Sequence, residues 1–282
     1  MTLATERHSP QSSLRLQLIT QLVRKDLKIK YQGSTLGFMW SLANPLLMLV
    51  VYTFVFSYVF KSNVPIFGYF LLSGLLVFNL FQMGVMGAST SITGNAGLVK
   101  KVPFPHIALP LASIGFAGVQ VLLQYVVLIL AMTLTGHAPL RPELLLLLPA
   151  GLVVLTLTVG LSLFVSSTTV RYKDTQHILE VGMFAWVWLS AVIYPPALVH
   201  EKLHGGLPLA AFYLNPMAGV TASFQRAIYG QVYDPNGNLI LASPDDIFYV
   251  KALALGFAVS LGVLALGVWQ FRRLSADFAE EL

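Results

Sequence analysis

Long apolar segments alternate with short polar ones along most of the chain. Intervals without Asp, Glu, Lys or Arg occur at residues 32–60, 62–99, 102–140, 144–170, 181–200 and 252–271. A helix rises about 1.5 Å per residue and the hydrocarbon layer is about 30 Å thick, so about 20 apolar residues can span it. The pattern predicts an all-α integral membrane protein with six transmembrane helices.

The predicted spans are joined by short segments that turn the chain. Their approximate bounds are Gly37–Phe60, Phe67–Met86, Ile107–Leu134, Leu144–Ser166, Ile178–Tyr194 and Ile247–Phe271. The brief polar turn at 61–65 makes the first two spans antiparallel. Residues 87–105 are small and polar, then basic, and Pro103 and Pro105 prevent a continuous helix. We expect a cytoplasmic loop containing a short helix there.

The distribution of positive charge predicts the topology. The polar first residues lead into a basic stretch without the short apolar core of a signal peptide, so we expect none to be removed. Most Lys and Arg residues fall on one side of the predicted spans, which places both termini in the cytoplasm. We therefore expect an N-terminal region at 1–36, a permease domain at 37–271 and a cytoplasmic tail at 272–282, in the cell inner membrane.

Residues 14–31 have the spacing of an amphipathic helix. Its polar side carries Gln17, Gln21, Arg24, Lys25 and Lys28, and its apolar side carries Leu18, Ile19, Leu22, Val23 and Leu27. This spacing predicts a helix lying in the membrane surface. A cytoplasmic helix that packs on its own protein would have the same spacing, and that alternative stays open.

The segment at 207–230 is apolar but interrupted by Asn215, Pro216 and Arg226. We predict two short re-entrant or interfacial helices there, inside an outer gate segment at about 195–246. Irregular backbone at membrane depth must be satisfied by protein or by a water-filled cavity, so the segment is expected to line or cover a pathway. A seventh span is the alternative, and it would place Arg226 in lipid at a cost of about 2.5–3.5 kcal/mol.

Composition supports a membrane protein. Only 10% of the residues are charged and 56% are hydrophobic, whereas soluble domains have roughly 25% charged residues. The chain lacks cysteine, which excludes disulfides, thiolate metal sites and cysteine nucleophiles. The net charge of +5 comes from basic residues at the ends of apolar runs, where they orient spans and meet anionic lipid, so membrane lipid and not nucleic acid is the expected partner.

No catalytic pattern is apparent in the sequence. The spans contain neither paired carboxylates nor a helical His-Glu-x-x-His motif, and the six histidines fall in loops or at span ends. The chain contains no Gly-Lys pair, so a phosphate-binding loop is absent. We predict no catalytic residue, no metal site and no cofactor on this chain, which is therefore not expected to be an enzyme. Any ATPase that drives it must be another polypeptide.

Five segments, in order, carry a family resemblance: RKDLKIKYQGSTLGFMWSLANP at 24–45, LLSGLL at 71–76, NAGLVKKVPFP at 95–105, RYKDTQHIL at 171–179 and LNP at 214–216. Together they resemble the ABC-2 type permeases that export polysaccharides such as O-antigen or teichoic acid. Lys173 departs from that pattern, in which Arg precedes the Asp. The resemblance implies a homodimer joined to two separate ATPase subunits that hold ATP and Mg, and a lipid-pyrophosphate-linked glycan as substrate.

The resemblance also implies roles for two basic segments. The loop at 95–101 would contact the ATPase as a coupling helix, through Asn95, Leu98, Lys100 and Lys101. The pyrophosphate headgroup would be received by Arg24, Lys25, Lys28, Lys30 and Tyr31. These basic residues would equally serve to set topology, and the sequence leaves both interpretations open.

Aromatic and small residues recur at helical spacing. Candidate channel-lining aromatics, which suit the flat apolar faces of sugars, are Trp40, Tyr52, Phe56, Tyr58, Phe60, Phe184 and Trp188. Ordinary packing explains the same spacing. Close helix contact is predicted at Ala252, Gly256 and Ser260, with Ala258 and Gly262 beside them.

Two other functions stay open at this point. One is a related ABC exporter of a drug or small lipid. The other is a secondary transporter or a membrane-embedded glycan enzyme, although the sequence shows neither intramembrane acids nor an inverted repeat.

Overall fold

The computed structural model describes residues 10–34, 37, 39–60, 66–101, 104–137, 139, 141–195, 199, 212, 214–231 and 246–282. All regular elements within these residues are helical, which confirms the all-α prediction. The predicted turn at 61–65 and most of the predicted gate segment at 195–246 lie outside the described residues.

The helices follow the apolar pattern of the sequence. They are α1 (Pro10–Tyr31), α2 (Met39–Phe54), α3 (Phe67–Ser89), α4 (Ala96–Lys101), α5 (Ala108–Leu134), α6 (Leu147–Arg171), α7 (Thr175–Leu189), α8 (Pro216–Ile228), α9 (Asp246–Leu274) and α10 (Phe278–Glu281). A π-helical turn at Val55–Val59 extends α2, and 3₁₀ turns at Thr93–Asn95 and Pro142–Leu146 precede α4 and α6.

Five of these segments are long and apolar enough to cross a membrane. They are Met39–Val59, Phe67–Ser89, Ala108–Leu134, Pro142–Arg171 and Ile247–Leu274. Each matches a predicted span to within a few residues, except that the fourth begins earlier and continues to Arg171. The short helix expected between residues 87 and 105 is α4.

The helix at the predicted fifth span is shorter than the sequence suggested. Helix α7 has 15 residues, which at about 1.5 Å per residue gives about 22 Å, less than the hydrocarbon thickness. It ends before Ser190, and Ala191 then adopts a left-handed conformation with φ 51°. A left-handed residue cannot continue a right-handed helix, so the span predicted to reach Tyr194 stops at Leu189.

Helix α3 occupies the centre of the fold, and contacts α2, α5, α6, α7 and α8. Its aromatic side chains fill the interior: Phe78 and Phe81 are fully buried, and Phe81 meets Trp186 of α7 edge to face at 5.0 Å. Helix α8 packs against α3, α6 and α9. The predicted gate helix therefore lies against the protein interior along much of its length.

Small residues allow two close approaches to α9. A Cβ added at Gly267 would lie 2.0 Å from the carbonyl oxygen of Gly160 in α6, and one added at Gly256 would lie 3.2 Å from the Cα of Pro216 in α8. Ala252 and Ser260 are buried on the same face as Gly256. The predicted close contact is thus confirmed on that face, within the protomer. Ala258 and Gly262, in contrast, are exposed.

The apolar side of α1 packs on the protein itself. Leu22 is buried in a cluster with residues of α5 and α6, and Leu18, Ile19 and Val23 pack against that cluster. The predicted division of the helix into two sides is confirmed. Helix α2 is different, because nearly all of its side chains remain at least partly exposed in the protomer.

Candidate functional site

A polar network joins the end of α1 to the apolar helices. Lys30 Nζ donates to Gln120 Oε1 at 3.0 Å, Gln120 Nε2 donates to the Tyr31 hydroxyl at 2.7 Å, and Ser41 Oγ donates to Gln120 Oε1 at 3.0 Å. The Tyr31 and Ser41 hydroxyls also hydrogen-bond each other. Gln120 lies in α5 and is only 1% exposed. The network therefore ties α1 to both α2 and α5.

Sequence reasoning identified only half of this network. Lys30 and Tyr31 were predicted as headgroup residues, but Ser41 and Gln120 were not. The sequence feature that could have identified Gln120 is its position inside an apolar span, since a buried side-chain amide needs hydrogen-bond partners. The Lys30 ammonium also lies 5.4 Å from the Phe116 ring centre.

The other predicted headgroup residues lie outside this network. Arg24, Lys25 and Lys28 have exposed side chains. An open cavity of about 490 Å³ lies beside the contact of α1 with α5, and Lys28 and Tyr31 line it together with apolar residues of α5. A chain-like apolar ligand with an anionic end would meet both kinds of surface in this cavity.

Asn95 connects the predicted coupling loop to α1. Its side-chain amide donates to the Ser91 carbonyl oxygen at 2.8 Å, and its Oδ1 accepts from Lys25 Nζ at 3.2 Å. Lys25 also lies 3.4 Å from an Asp26 carboxylate oxygen. One headgroup candidate thus contacts one coupling candidate, a relation that the sequence did not reveal.

Helix α4 presents its two lysines outward. Lys100 and Lys101 are exposed, while Val99 is buried and Leu98 packs against the same apolar cluster. The helix is amphipathic over its short length. Its apolar side holds it on the protein, and its basic end is left accessible to a partner.

The end of α7 is held by polar side chains of α8. Asn215 Oδ1 accepts from Trp186 Nε1 at 2.9 Å and from the Met217 backbone amide at 3.1 Å. Its Nδ2 donates to the carbonyl oxygen of Leu189 at 3.0 Å and to the hydroxyl of Ser190 at 3.2 Å. Asn215 therefore caps the N-terminus of α8 and also binds the last carbonyl group of α7.

Two further residues of α8 complete this contact. The Thr221 hydroxyl donates to the Ser190 carbonyl oxygen, and Gln225 Nε2 donates to that of Val192 at 3.0 Å. A helix that stops inside an apolar environment leaves carbonyl groups that need donors. Pro216 occupies the first turn of α8, where its missing amide costs nothing. The sequence identified Asn215 and Pro216 but missed Trp186, Thr221 and Gln225.

Charged residues lie at the other end of α8. Arg226 has a side chain that is 11% exposed, and its Nη2 lies 3.4 Å from Glu143 Oε1. Arg141 Nη1 donates to the Tyr229 carbonyl oxygen at 3.1 Å. Arg226 is thus paired with a carboxylate through Nη2, whereas its buried Nε and Nη1 have no hydrogen-bond partner among the described residues.

The predicted channel-lining aromatics divide into two groups. Those with exposed side chains are Trp40, Tyr58, Phe60, Phe184 and Trp188. Tyr52 and Phe56 are partly buried and pack on a cluster formed with α3, where the Phe56 and Phe67 rings are 4.5 Å apart. The exposed group lies on α2 and its extension to residue 60, and on α7.

Substituting Asn215 with Ala is expected to lower the free energy of unfolding by about 2 kcal/mol, because the Leu189 carbonyl and the Trp186 indole N–H lose their partner and α8 loses its N-cap. Unfolding of the purified protein in detergent, followed by circular dichroism, measures this loss. The matched control is Asn44→Ala, at an exposed asparagine of α2, for which a change below about 0.5 kcal/mol is expected. Equal stability of the two variants would contradict the role of Asn215.

No group of three or more His, Cys, Asp or Glu residues that could hold a metal ion occurs within the described ranges.

Comparison with known proteins places the chain in a family context. The ABC-2 type transporter family matches residues 17–229. The chain is 32% identical to the O-antigen export system permease protein RfbA of Myxococcus xanthus, over 75% of this chain and 80% of that protein. It is 26% identical to RfbA of Klebsiella pneumoniae, over 94% and 95%. It is also 22% identical to the polysialic acid transport protein KpsM of Escherichia coli, over 66% and 73%.

Proposed function

Because the chain belongs to the ABC-2 type transporter family, we propose that it is the permease subunit of an ATP-driven exporter of a lipid-linked polysaccharide such as O-antigen. The observation that carries the proposal is similarity over nearly the full length to permeases named for O-antigen export. A relative named for polysialic acid transport handles a substrate of the same broad class, a glycan polymer.

The complex consists of two copies of this chain and two separate ATPase subunits. ATP and Mg are held by the ATPase, in keeping with the lack of a Gly-Lys pair in this sequence. The permease lies in the inner membrane with both termini in the cytoplasm, as the distribution of Lys and Arg favours. Closure of the ATPase dimer on ATP moves the permease between two access states.

Helix α4 is the contact with the ATPase. Its exposed Lys100 and Lys101 face the partner, Leu98 packs on the apolar cluster beneath the helix, and Asn95 closes the preceding turn on the Ser91 carbonyl oxygen. Because Asn95 also accepts a hydrogen bond from Lys25, movement of α4 is passed on to α1. The ATPase and the substrate-receiving helix are then mechanically linked.

The pyrophosphate headgroup is received along α1. Arg24, Lys25 and Lys28 supply exposed positive charge, and Lys28 and Tyr31 line the cavity next to α5. Lys30 is oriented by Gln120 and contributes charge at the start of the pathway. A phosphate anion is stabilised by several such cationic donors, and α1 lies in the membrane surface where the headgroup arrives.

The glycan passes along exposed aromatic side chains of α2 and α7. The side chains of Trp40, Tyr58, Phe60, Phe184 and Trp188 are not fully covered within the protomer, and the Phe56 ring stacks on that of Phe60 at 5.5 Å. Helix α8 is a re-entrant helix that, with Asn215, Pro216 and Arg226, gates the outer mouth. The fifth of the six spans consists of α7 and the irregular segment that follows it to Tyr194, whose carbonyl groups accept hydrogen bonds from α8.

Co-purification of the tagged chain from its native membranes tests the function. We expect a Walker-motif ATPase in equal amount, with an activity that responds to added lipid-linked glycan. The matching genetic test is loss of surface polymer in a deletion strain. A chain that carries no ATPase would reject the proposal in favour of a secondary transporter or membrane enzyme, and normal polymer export in the deletion strain would favour a drug or small-lipid exporter.

A further inference from the structure

The C-terminal tail folds back onto the protein. Helix α10 is only a single turn, yet Phe278 is 0% exposed. Its ring lies 5.5 Å from that of Phe271 near the end of α9 and 5.9 Å from that of His106, just before α5. A side chain of this size that is removed from water at the end of a chain anchors the segment that carries it.

An ion pair fixes the tail at a second point. Arg171, the last residue of α6, donates from Nε to Glu281 Oε1 at 2.9 Å and from Nη2 to the same oxygen. Leu282 packs on the apolar cluster that contains Phe278. The tail is therefore held by packing on one side and by charge on the other.

The same cluster supports helix α4. Val99 of α4 and Ile92 before it are buried in the cluster with Phe271 and Phe278, and the Phe104 ring is 5.5 Å from that of His106. Helix α4 has six residues, too few to hold a helical turn in place by backbone hydrogen bonds alone. Its position must therefore come from the side chains beneath it, and the tail provides part of that support.

We propose that the tail is a brace that positions α4 for coupling to the ATPase, with Phe278 and the Arg171–Glu281 pair as positioning residues. This inference rests on the proposed function of α4. A loose α4 would follow the ATPase without moving the spans, so hydrolysis would continue while export declined. With the brace in place, α4 moves together with the ends of α6 and α9.

The first test is Phe278→Ala in the complex with the ATPase, reconstituted in vesicles. We expect the ATPase to remain bound and active, while polymer exported per ATP hydrolysed falls about 5-fold or more, as for a typical loss of coupling between sites. Phe278→Leu keeps most of the apolar volume, so we expect its ratio of polymer exported to ATP hydrolysed to lie between that of Phe278→Ala and that of the unaltered chain. The matched control is Ala279→Ser, at an exposed neighbour in α10, with a ratio equal to that of the unaltered chain.

The second test addresses the ion pair. Arg171→Glu and Glu281→Arg, made separately, are each expected to lower the export ratio about 2-fold, since an exposed pair contributes modestly. The double exchange is expected to restore it. Restoration requires the two side chains to act on each other, which general damage to the chain would not produce.

The outcomes separate the brace from the proposed function. If the unaltered chain binds no ATPase, the proposed function itself fails. If the unaltered chain exports polymer and Phe278→Ala does so with the same ratio, the brace is wrong. If Phe278→Ala does not accumulate in the membrane, the two single charge variants decide, and an unchanged ratio in both Arg171→Glu and Glu281→Arg would overturn the inference.

Discussion

Charge reversal of Lys100 and Lys101 to Glu is expected to reduce polymer export about 100-fold while the permease stays folded. Both side chains are exposed, and surface substitutions of this kind change stability by no more than about 0.5 kcal/mol. We expect the ATPase surface opposite these lysines to be acidic, so that two glutamates would bring like charges together at the interface, at a cost of several kcal/mol. A loss of about 2.7 kcal/mol in the docking of α4 corresponds to the 100-fold effect.

The measurement is surface polymer in a strain whose own copy has been deleted, together with the amount of ATPase that co-purifies with the tagged variant. Lys100→Arg with Lys101→Arg is the matched control, because it keeps both charges at the same positions. We expect that control to export at nearly the normal level. Normal export by the Glu variant would rule out α4 as the charged contact with the ATPase.

Substituting Gly267 with Ala is expected to lower the free energy of unfolding by about 3 kcal/mol. The new methyl group would lie 2.0 Å from the carbonyl oxygen of Gly160 and 2.9 Å from its carbonyl carbon. Because these are backbone atoms of α6, no side-chain rotation relieves the overlap, and the two helices must separate. Overpacking usually costs about 1–3 kcal/mol, and a clash with backbone belongs at the upper end of this range.

Gly262→Ala, on the same helix, is the matched control. A Cβ at Gly262 would meet no atom within 4 Å in the protomer, so we expect no loss of stability and a gain of up to about 1 kcal/mol from helix propensity. Unfolding of both purified variants in the same detergent gives the comparison. Similar stability for the two would show that α6 and α9 are not held at the close distance seen here.

Much of the architecture follows from local hydropathy. The bounds of α3, α5 and α9 could be read from runs of apolar residues, because the hydrocarbon layer selects for length and apolarity in each segment separately. The two sides of α1 could be read from its spacing. Asn215 and Pro216 could be singled out in the same way, since polar and helix-breaking residues in an apolar segment require an explanation.

Other features could not be predicted because they depend on residues far apart in the chain. Hydropathy gave the fifth span an end at Tyr194, but the left-handed Ala191 ends α7 at Leu189, and donors from α8 make that break tolerable. The sequence also showed small residues in α9 without showing that the closest contact joins Gly160 to Gly267.

The sequence by itself determined that this chain is a helical membrane protein, where its apolar segments lie and which family motifs it carries. The tertiary structure decided which polar groups meet, Lys30 with Gln120 and Lys25 with Asn95. It also decided that Phe278 of the tail shares an apolar cluster with Val99 of α4. The physical reason is that burial in lipid is a property of each segment, whereas a hydrogen bond or a packed ring needs a particular partner. That partner is fixed only when the helices pack.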